Sequence, residues 1–425
     1  MKKELKTSIS SRIVESEITP GLKLFSLKTG AKRIVTVEGS LLGGSHHGTN
    51  KNWMLPEIVA EMLDQGTKKR EKTELHNLLE DRGISIDWSV SRFFLHFSAR
   101  CLSEDLGLTI ELIAEMLRFP TFPTSELEVI KNRMIGDAKE RNTDTRVRAT
   151  EALARAMFNP DHPNYSINSE EQIALIEKTT VEDLTSFHKK LGTDNFNIVV
   201  AGDLQEATTL VIVQKNFAGL SKTEFKITNG EKSKIPTQKE VRIEMPDKTS
   251  TDVAVGMTLP FGDKGDEFYP FLLANAILGG GFTARLIQEV RDKQGLTYGV
   301  YSQLSGTGND TPGYWYASAT FAPELLERGV QALRKEMIRF IKAGVTQKEL
   351  NEKKQTLIGG YKVALSTTRG IARILISNVE HGRPKEFIDL YPEVIKNISL
   401  KTTNEVIKNS LNEKNLVTVI AGTIQ

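Results

Sequence analysis

Two side chains that can donate hydrogen bonds to a peptide lie seven positions apart in the second half of the chain. Arg291 ends a predicted helical run, Ala284–Arg291, and Tyr298 follows on an extended segment. An arginine guanidinium and a tyrosine hydroxyl can each donate hydrogen bonds to a peptide carbonyl or a carboxylate. Three glycines, Gly279–Gly281, precede the helix and allow the backbone to pass close to another group. The pattern fits a peptide site, and taken alone it fits equally well an ion pair at a helix end and a half-buried tyrosine.

These residues fall inside an internal repeat. Asn195–Leu204 (NFNIVVAGDL) matches Asn415–Ile424 (NLVTVIAGTI) at an offset of 415 − 195 = 220. Three more matches keep the same order: Glu115–Phe119 with Glu336–Phe340 at offset 221, Met134–Asp137 with Leu357–Gly360 at offset 223, and Gly83 with Gly295 at offset 212. Four ordered matches predict a duplicated domain of about 200 residues.

The repeat sets the domain organisation. The stretch Ser221–Glu240 is polar and lysine-rich and has the composition of a linker. We therefore place one domain at residues 1–220, a linker at 221–239 and a second domain at 240–425. Each copy mixes antiparallel strand patterns with amphipathic helices, so the predicted class is α+β, with one sheet and its covering helices in each of two homologous domains.

Local signals place several elements in the first half. The strand-like runs Leu22–Leu27 and Arg33–Leu42 are joined by Lys28-Thr29-Gly30, which resembles a hairpin turn. A helix over Lys72–Arg82 is followed by Gly83, a typical residue just beyond a helix C-terminus. A long charged helix begins near Ser125.

Composition excludes several classes of function. The 425 residues carry 56 basic and 54 acidic side chains, a net charge of +2 that favours no nucleic-acid partner. The single cysteine, Cys101, excludes an internal disulfide or a cysteine metal cluster. No apolar run is long enough to predict a membrane span or a secretory signal. We expect a cytoplasmic location by default, or a periplasmic one if a leader was removed.

The repeat motifs resemble those of the pitrilysin/insulinase family of zinc peptidases. Both halves end in N-x-x-x-V-(V/I)-A-G, and R-x-x-x-G-L-x-Y-x-V runs from Arg291 to Val300. The resemblance covers essentially the whole chain. The family includes two-domain bacterial enzymes and processing peptidases. It implies two similar domains that face each other as half of a clamshell. It also implies that Arg291 and Tyr298 contact the substrate backbone beside zinc.

The zinc motif of that family is degenerate in this sequence. Family members carry H-x-x-E-H on their first long helix, where two imidazoles bind zinc and the glutamate activates water. The three corresponding positions here are Glu57, Ala60 and Glu61, and the third-ligand position falls on Gly136 or Asp137. None of the seven histidines has H-x-x-E-H or H-E-x-x-H spacing. We therefore expect no metal on this chain.

Other interpretations of these polar residues stay open. Glu57, Glu61 and Asp137 can hold a hard cation through oxygen ligands or be solvated carboxylates. His46 and His47 can bind metal adventitiously or be a solvated pair. We expect His162 to hydrogen-bond locally in a turn. We expect Arg285 and Gln288 to be polar residues at the helix surface or between domains.

The presence of Arg291 and Tyr298 without a zinc motif implies a subunit that is inactive alone. A chain that keeps Arg291 and Tyr298 but lacks the zinc motif resembles the substrate-binding half of a heterodimeric metallopeptidase, whose homologous partner binds zinc. The alternative is a catalytically inactive scaffold, or a peptide-binding homodimer. An active enzyme with an unrecognised metal site is a third hypothesis, which no histidine pair supports.

Overall fold

The computed structural model describes residues 8–48, 51–228 and 239–424, and these form two β-sheets covered by helices. The strands are β1 Val14–Thr19, β2 Leu22–Lys28, β3 Ile34–Leu42, β4 Ser85–Val90, β5 Phe94–Leu102, β6 Phe196–Gly202, β7 Glu240–Glu244, β8 Thr251–Thr258, β9 Val300–Ser305, β10 Tyr314–Phe321 and β11 Val417–Gly422. The mixture of mainly antiparallel strands and covering helices confirms the predicted α+β class.

Fourteen α-helices occur in the described ranges. The helices are α1 Leu55–Met62, α2 Lys72–Arg82, α3 Leu106–Arg118, α4 Thr124–Asn142, α5 Thr145–Met157, α6 Ser169–Lys178, α7 Val181–His188, α8 Glu206–Phe217, α9 Phe268–Gly279, α10 Leu326–Ala343, α11 Gln347–Ala364, α12 Thr368–Glu380, α13 Phe387–Asn397 and α14 Leu400–Ser410. Gly83 adopts φ 59° directly after α2, as predicted from its position.

The first sheet has the order β1-β2-β6-β3-β5-β4. β6 pairs parallel with β2 and antiparallel with β3, and all of its residues are buried. The hairpin predicted between β2 and β3 is therefore wrong, because β6 is inserted between the two strands. The Thr29 N–H donates to the carbonyl of Gly202 at the end of β6, so the turn after β2 is fixed by a strand from far along the chain.

The second sheet repeats this topology. Its order is β7-β11-β8-β10-β9, with β7 parallel to β11 and the other pairs antiparallel. Omitting β1, the first sheet has the same sequence of parallel and antiparallel neighbours. The structure confirms the duplication that the sequence motifs predicted.

Each sheet is covered by a helix from the other half of the sequence. Ile371 and Leu375 of α12 pack with Phe25 and Leu27 of the first sheet. In the second sheet, α5 supplies Leu153 and Met157 to a core that includes Val417 and Val419 of β11. The starts of the two helices are separated by 368 − 145 = 223 residues. This separation is close to the offset of the sequence repeat, so α5 and α12 occupy equivalent positions in the two copies, and each covers the sheet of the other half.

Because each sheet is covered by a helix from the other half of the sequence, each compact unit consists of several separate segments of the chain. One unit lies within Met1–Gly136, Gln172–Ile227 and Tyr361–Tyr391, and the other within Asp137–Glu171, Thr228–Gly360 and Pro392–Gln425. The chain passes between the units inside α4, α6, α11 and α13, and once more between Ile227 and Thr228. The boundary at 221–239 stays a prediction about the sequence repeat, and residues 229–238 of that linker lie outside the described residues.

None of the helices in the described ranges is both long enough and apolar enough to span a membrane.

Candidate functional site

The glycine-rich segment after α9 begins with a close backbone approach. A Cβ atom at Gly279 would lie 2.2 Å from the backbone nitrogen of Ser302 on β9, so only glycine fits there. Gly281 adopts φ 130°, a conformation that side chains rarely take. The segment thus turns sharply at the sheet edge and leaves Phe282 82% exposed.

Arg291 lies near the end of a π-helix, Ile287–Asp292. The sequence predicted a helix here, and the wider π turn is a local feature that often marks functional sites. Ile287 and Val290 are buried and hold the helix against its unit, whereas the Arg291 side chain is 38% exposed. Among the described residues its only ion-pair contact is with the adjacent Asp292, at 4.0 Å from Nε to Oδ1. The guanidinium is therefore accessible to a ligand.

Tyr298 projects from a turn whose neighbouring residues are anchored. Leu296 is buried, and its N–H donates to the Val290 carbonyl at 3.2 Å. The Thr297 hydroxyl donates to the Thr320 carbonyl and accepts the N–H of Gly299. The Tyr298 side chain is 95% exposed. Tyr298 lies two residues before β9, so the prediction that it is on a strand is wrong, and its exposure also excludes the alternative of a half-buried tyrosine.

Hydrogen bonds bring the base of this turn back to the end of the π-helix. The Gly295 N–H donates to the Arg291 carbonyl at 2.8 Å, next to the Leu296 bond described above. The two predicted site residues therefore belong to one folded segment.

Two exposed aromatic residues in the same region were missed from the sequence. Phe282 follows the glycines, and Tyr301 on β9 is 46% exposed. β9 is the last strand of its sheet. An aromatic residue after a glycine run or on a strand is usually buried, so sequence alone does not distinguish these two from core residues.

Ion pairs fix the segment to the neighbouring helices. Arg285 donates from Nε and Nη2 to both carboxylate oxygens of Glu349 on α11, at 2.5 and 2.7 Å. Glu289 accepts from Lys293 at 2.9 Å and from Arg339 on α10 at 3.5 Å. The Arg285 side chain is only 11% exposed, so it is not an exposed helix-surface residue, whereas Gln288 is exposed, as expected. The bidentate pair is a rigid anchor for the residues before Arg291.

The Arg285–Glu349 pair predicts a pH-dependent stability. Burial alone would raise the pKa of Glu349, but hydrogen bonds from Arg285 and Thr346 outweigh it and lower the pKa to about 2. A depressed carboxyl pKa adds stability above the unfolded value of about 4.5, and this stability is lost as the pH falls toward 2. Because Glu349 is 27% exposed, solvent screens part of the effect. We expect Glu349→Gln to cost about 1–2 kcal/mol at pH 7.

Urea unfolding of the wild type and Glu349→Gln between pH 7 and pH 3 measures this contribution. The difference should shrink below about pH 4.5. Glu352→Gln, a neighbouring change on the exposed face of α11, is the control. An equal difference at pH 7 and pH 3 would contradict the role of the ionised carboxylate.

The degenerate motif positions do not form a zinc site. Ala60 has no ligand atom and is buried on α1, and the Glu61 carboxylate accepts from Arg133 at 2.6 Å. Glu57 on α1 is half-buried, and Asp137 lies on an exposed position of α4. No cluster of three or more His, Cys, Asp or Glu suited to a metal occurs in the described part of the chain. Zinc also prefers imidazole or thiolate donors, which these positions lack, so no catalytic step is assigned to a metal here.

Two of the histidines singled out in the sequence have described local contacts. His47 is packed against Phe225, with ring centroids 4.8 Å apart, and burial lowers its pKa to about 4. The expectation of a solvated His46–His47 pair is therefore wrong for His47. His162 accepts the Asn164 N–H through Nδ1 at 3.0 Å, which confirms its predicted local hydrogen bond.

Comparison with known families accounts for both halves. Residues 26–170 match the family described as Insulinase (Peptidase family M16), and residues 178–357 match Peptidase M16 inactive domain. Together the two matches cover most of the sequence. The chain belongs to peptidase family M16. This confirms the pitrilysin/insulinase resemblance of its motifs, and Arg291 and Tyr298 lie within the residues that match the inactive domain.

Relatives of this M16 chain carry contrasting names. The Non-peptidase homolog YmxG of Helicobacter pylori is 26% identical, over 86% of this chain and 84% of the relative. The Uncharacterized zinc protease YmxG of Bacillus subtilis is 24% identical, over 82% of this chain and 85% of the relative. The crystal structure of a peptidase M16 inactive domain from Pseudomonas fluorescens superposes with a TM-score of 0.88 at 23% identity, covering 97% of this chain and 98% of that one. These likenesses confirm the fold.

Proposed function

We propose that this M16 chain is the non-catalytic, substrate-binding subunit of a heterodimeric zinc peptidase. The observation that carries the proposal is the anchored turn that holds Tyr298 in solvent on the same folded segment as the accessible Arg291. A segment with an ordered backbone that carries two hydrogen-bond donors is suited to a ligand, because its backbone needs no further ordering on binding. The homologous partner would carry H-x-x-E-H and bind the zinc.

The chemistry of the pair suits the carbonyl of a scissile peptide. When the carbonyl carbon is attacked, negative charge develops on its oxygen, and preorganised donors stabilise that charge. Arg291 can donate through its guanidinium and Tyr298 through its hydroxyl. Phe282 and Tyr301 can contact apolar side chains of the peptide. The zinc on the partner would supply the activated water.

A catalytically inactive scaffold or peptide-binding homodimer is the second candidate. The name Non-peptidase homolog, given to one relative, fits a chain without catalysis, and this second candidate needs no peptidase partner. In that case Arg291 and Tyr298 would bind a peptide without cleavage.

The association state distinguishes the two candidates. We expect native mass spectrometry to show a one-to-one complex when the chain is mixed with a homologous M16 chain that bears H-x-x-E-H from the same source. A homodimer that persists unchanged in the mixture would contradict the heterodimer and favour the scaffold.

A further inference from the structure

A pocket lies in the first compact unit. It has a volume of about 420 Å³ and is lined by Leu41, Lys68, Leu117, Arg118, Phe122 and Lys189, among others. We call it the basic pocket. A cavity of this size holds a small organic molecule. All of its lining residues belong to this unit, whereas Arg291 and Tyr298 belong to the second one.

The charge of the basic pocket has one sign. Three cationic side chains, Lys68, Arg118 and Lys189, line it, and no aspartate or glutamate of the described residues does. Within the described ranges, none of these three cations forms an ion pair. The Arg118 guanidinium donates to a neutral acceptor, the backbone carbonyl of Asn216, at 2.6 Å, and it lies over the Phe119 ring. Unpaired cations around a cavity attract an anion.

The floor of the basic pocket is apolar and preformed. Leu41, Leu117 and Phe122 are each at most 4% exposed. Phe122 adopts φ 48°, a strained conformation for a bulky residue that the surrounding structure must hold in place. Its ring packs edge-on against His188, at 5.6 Å between centroids.

His188 completes the wall without adding charge. Its Nε2 donates to the Leu117 carbonyl at 2.7 Å, and burial lowers its pKa, so it is neutral near pH 7. The same bond occupies a carbonyl at the end of α3 that would otherwise repel an anion.

We propose that the basic pocket binds a single carboxylate attached to an apolar group. The apolar part would lie on Leu41, Leu117 and Phe122, and the carboxylate would lie among Lys68, Arg118 and Lys189. Two sources share this chemistry: a free aliphatic acid, and the carboxyl-terminal residue of a peptide that ends in an apolar side chain.

A variant at Lys68 can distinguish ligand binding from a contribution to helix stability. Arg118 and Lys189 stand at the ends of α3 and α7, where cations also stabilise the helix C-termini. Lys68 lies instead in the turn between Gly66 and Glu71, and its side chain is exposed. Removing its charge should therefore weaken ligand binding without destabilising a helix.

Titration calorimetry of the full chain tests the proposal with octanoate and acetyl-Ala-Leu, each compared with its amide. We expect at least one acid to bind and its amide to bind at least tenfold more weakly. Lys68→Gln should lower the affinity for that acid about fivefold to tenfold, since charged hydrogen bonds are worth about 1.5–3 kcal/mol before screening. Lys215→Gln, which removes an exposed lysine of α8 outside the pocket, should leave the affinity unchanged.

The acid that binds identifies the source. Binding of octanoate alone favours a free aliphatic acid, and binding of acetyl-Ala-Leu favours a peptide terminus. No binding of either acid at millimolar concentration would overturn the proposal. Equal binding of acid and amide, or equal effects of Lys68→Gln and Lys215→Gln, would also overturn it.

Discussion

Replacing Arg291 by alanine is expected to lower turnover by the assembled two-chain peptidase about 100-fold, the scale of losing one donor to a developing oxyanion. The guanidinium is accessible and makes only a 4.0 Å contact with Asp292 among the described residues, so the replacement breaks no buried ion pair. The effect should appear in kcat more than in KM, because the oxyanion forms in the transition state. Steady-state hydrolysis of a fluorogenic peptide by the mixture measures it.

Two variants control this result. Arg328→Ala removes an exposed arginine of α10 in the same compact unit and should leave turnover unchanged. Tyr298→Phe keeps the exposed ring and removes only the hydroxyl, so it should lower kcat about tenfold if that hydroxyl donates to the same oxygen. Equal turnover by the wild type and Arg291→Ala, with the complex intact, would contradict the assigned role.

Gly279→Ala is expected to destabilise the second compact unit by about 2–3 kcal/mol, as overpacking does in a close contact. The added methyl group would meet the backbone nitrogen of Ser302 at 2.2 Å and its Oγ at 2.6 Å. The Ser302 hydroxyl also donates to the Asn275 side chain at 2.7 Å, and the Trp315 indole donates to the same amide oxygen at 3.0 Å. Because β9 cannot retreat without straining this buried network, α9 must shift.

Urea unfolding followed by tryptophan fluorescence measures the change, since Trp315 is fully buried beside the affected contact. Gly359→Ala is the matched control, because a Cβ at this helical position would meet nothing within 4 Å. That variant should be stabilised by about 0.5–1 kcal/mol, the usual preference of a helix for alanine. Equal unfolding midpoints for Gly279→Ala and the wild type would show that the contact is not tight.

The parts of the fold that sequence predicts are local or repeated. Gly83 marks the end of α2 because its position requires a left-handed conformation that glycine adopts easily. The duplication was visible because Asn195–Leu204 and Asn415–Ile424 retain similar residues, and both contain a fully buried central strand, β6 or β11. The loss of zinc ligands was also visible, because it needs only the residue types at Glu57, Ala60 and Glu61.

The parts that sequence did not predict depend on distant segments. β6 enters between β2 and β3, so the turn at Lys28-Thr29-Gly30 looked like a hairpin although its strands are not neighbours. The exchange of α5 and α12 between halves leaves no trace in their own periodicity, because an amphipathic helix does not specify which sheet it covers.

Contacts with distant segments also decide which side chains of the candidate site are exposed. The spacing of Arg291 and Tyr298 was readable, but the exposure of Tyr298 depends on Thr297 bonding to Thr320 on another strand. The accessible Phe282 depends in turn on the contact between Gly279 and β9.

The central claim is that this M16 chain completes the site of a zinc-binding partner. The most direct test measures peptide hydrolysis and zinc content for the chain alone, for its H-x-x-E-H homologue alone, and for their mixture. We predict no zinc on this chain, and activity in the mixture that far exceeds the sum of the separate chains and falls with Arg291→Ala. Equal activity of the homologue with and without this chain would contradict it.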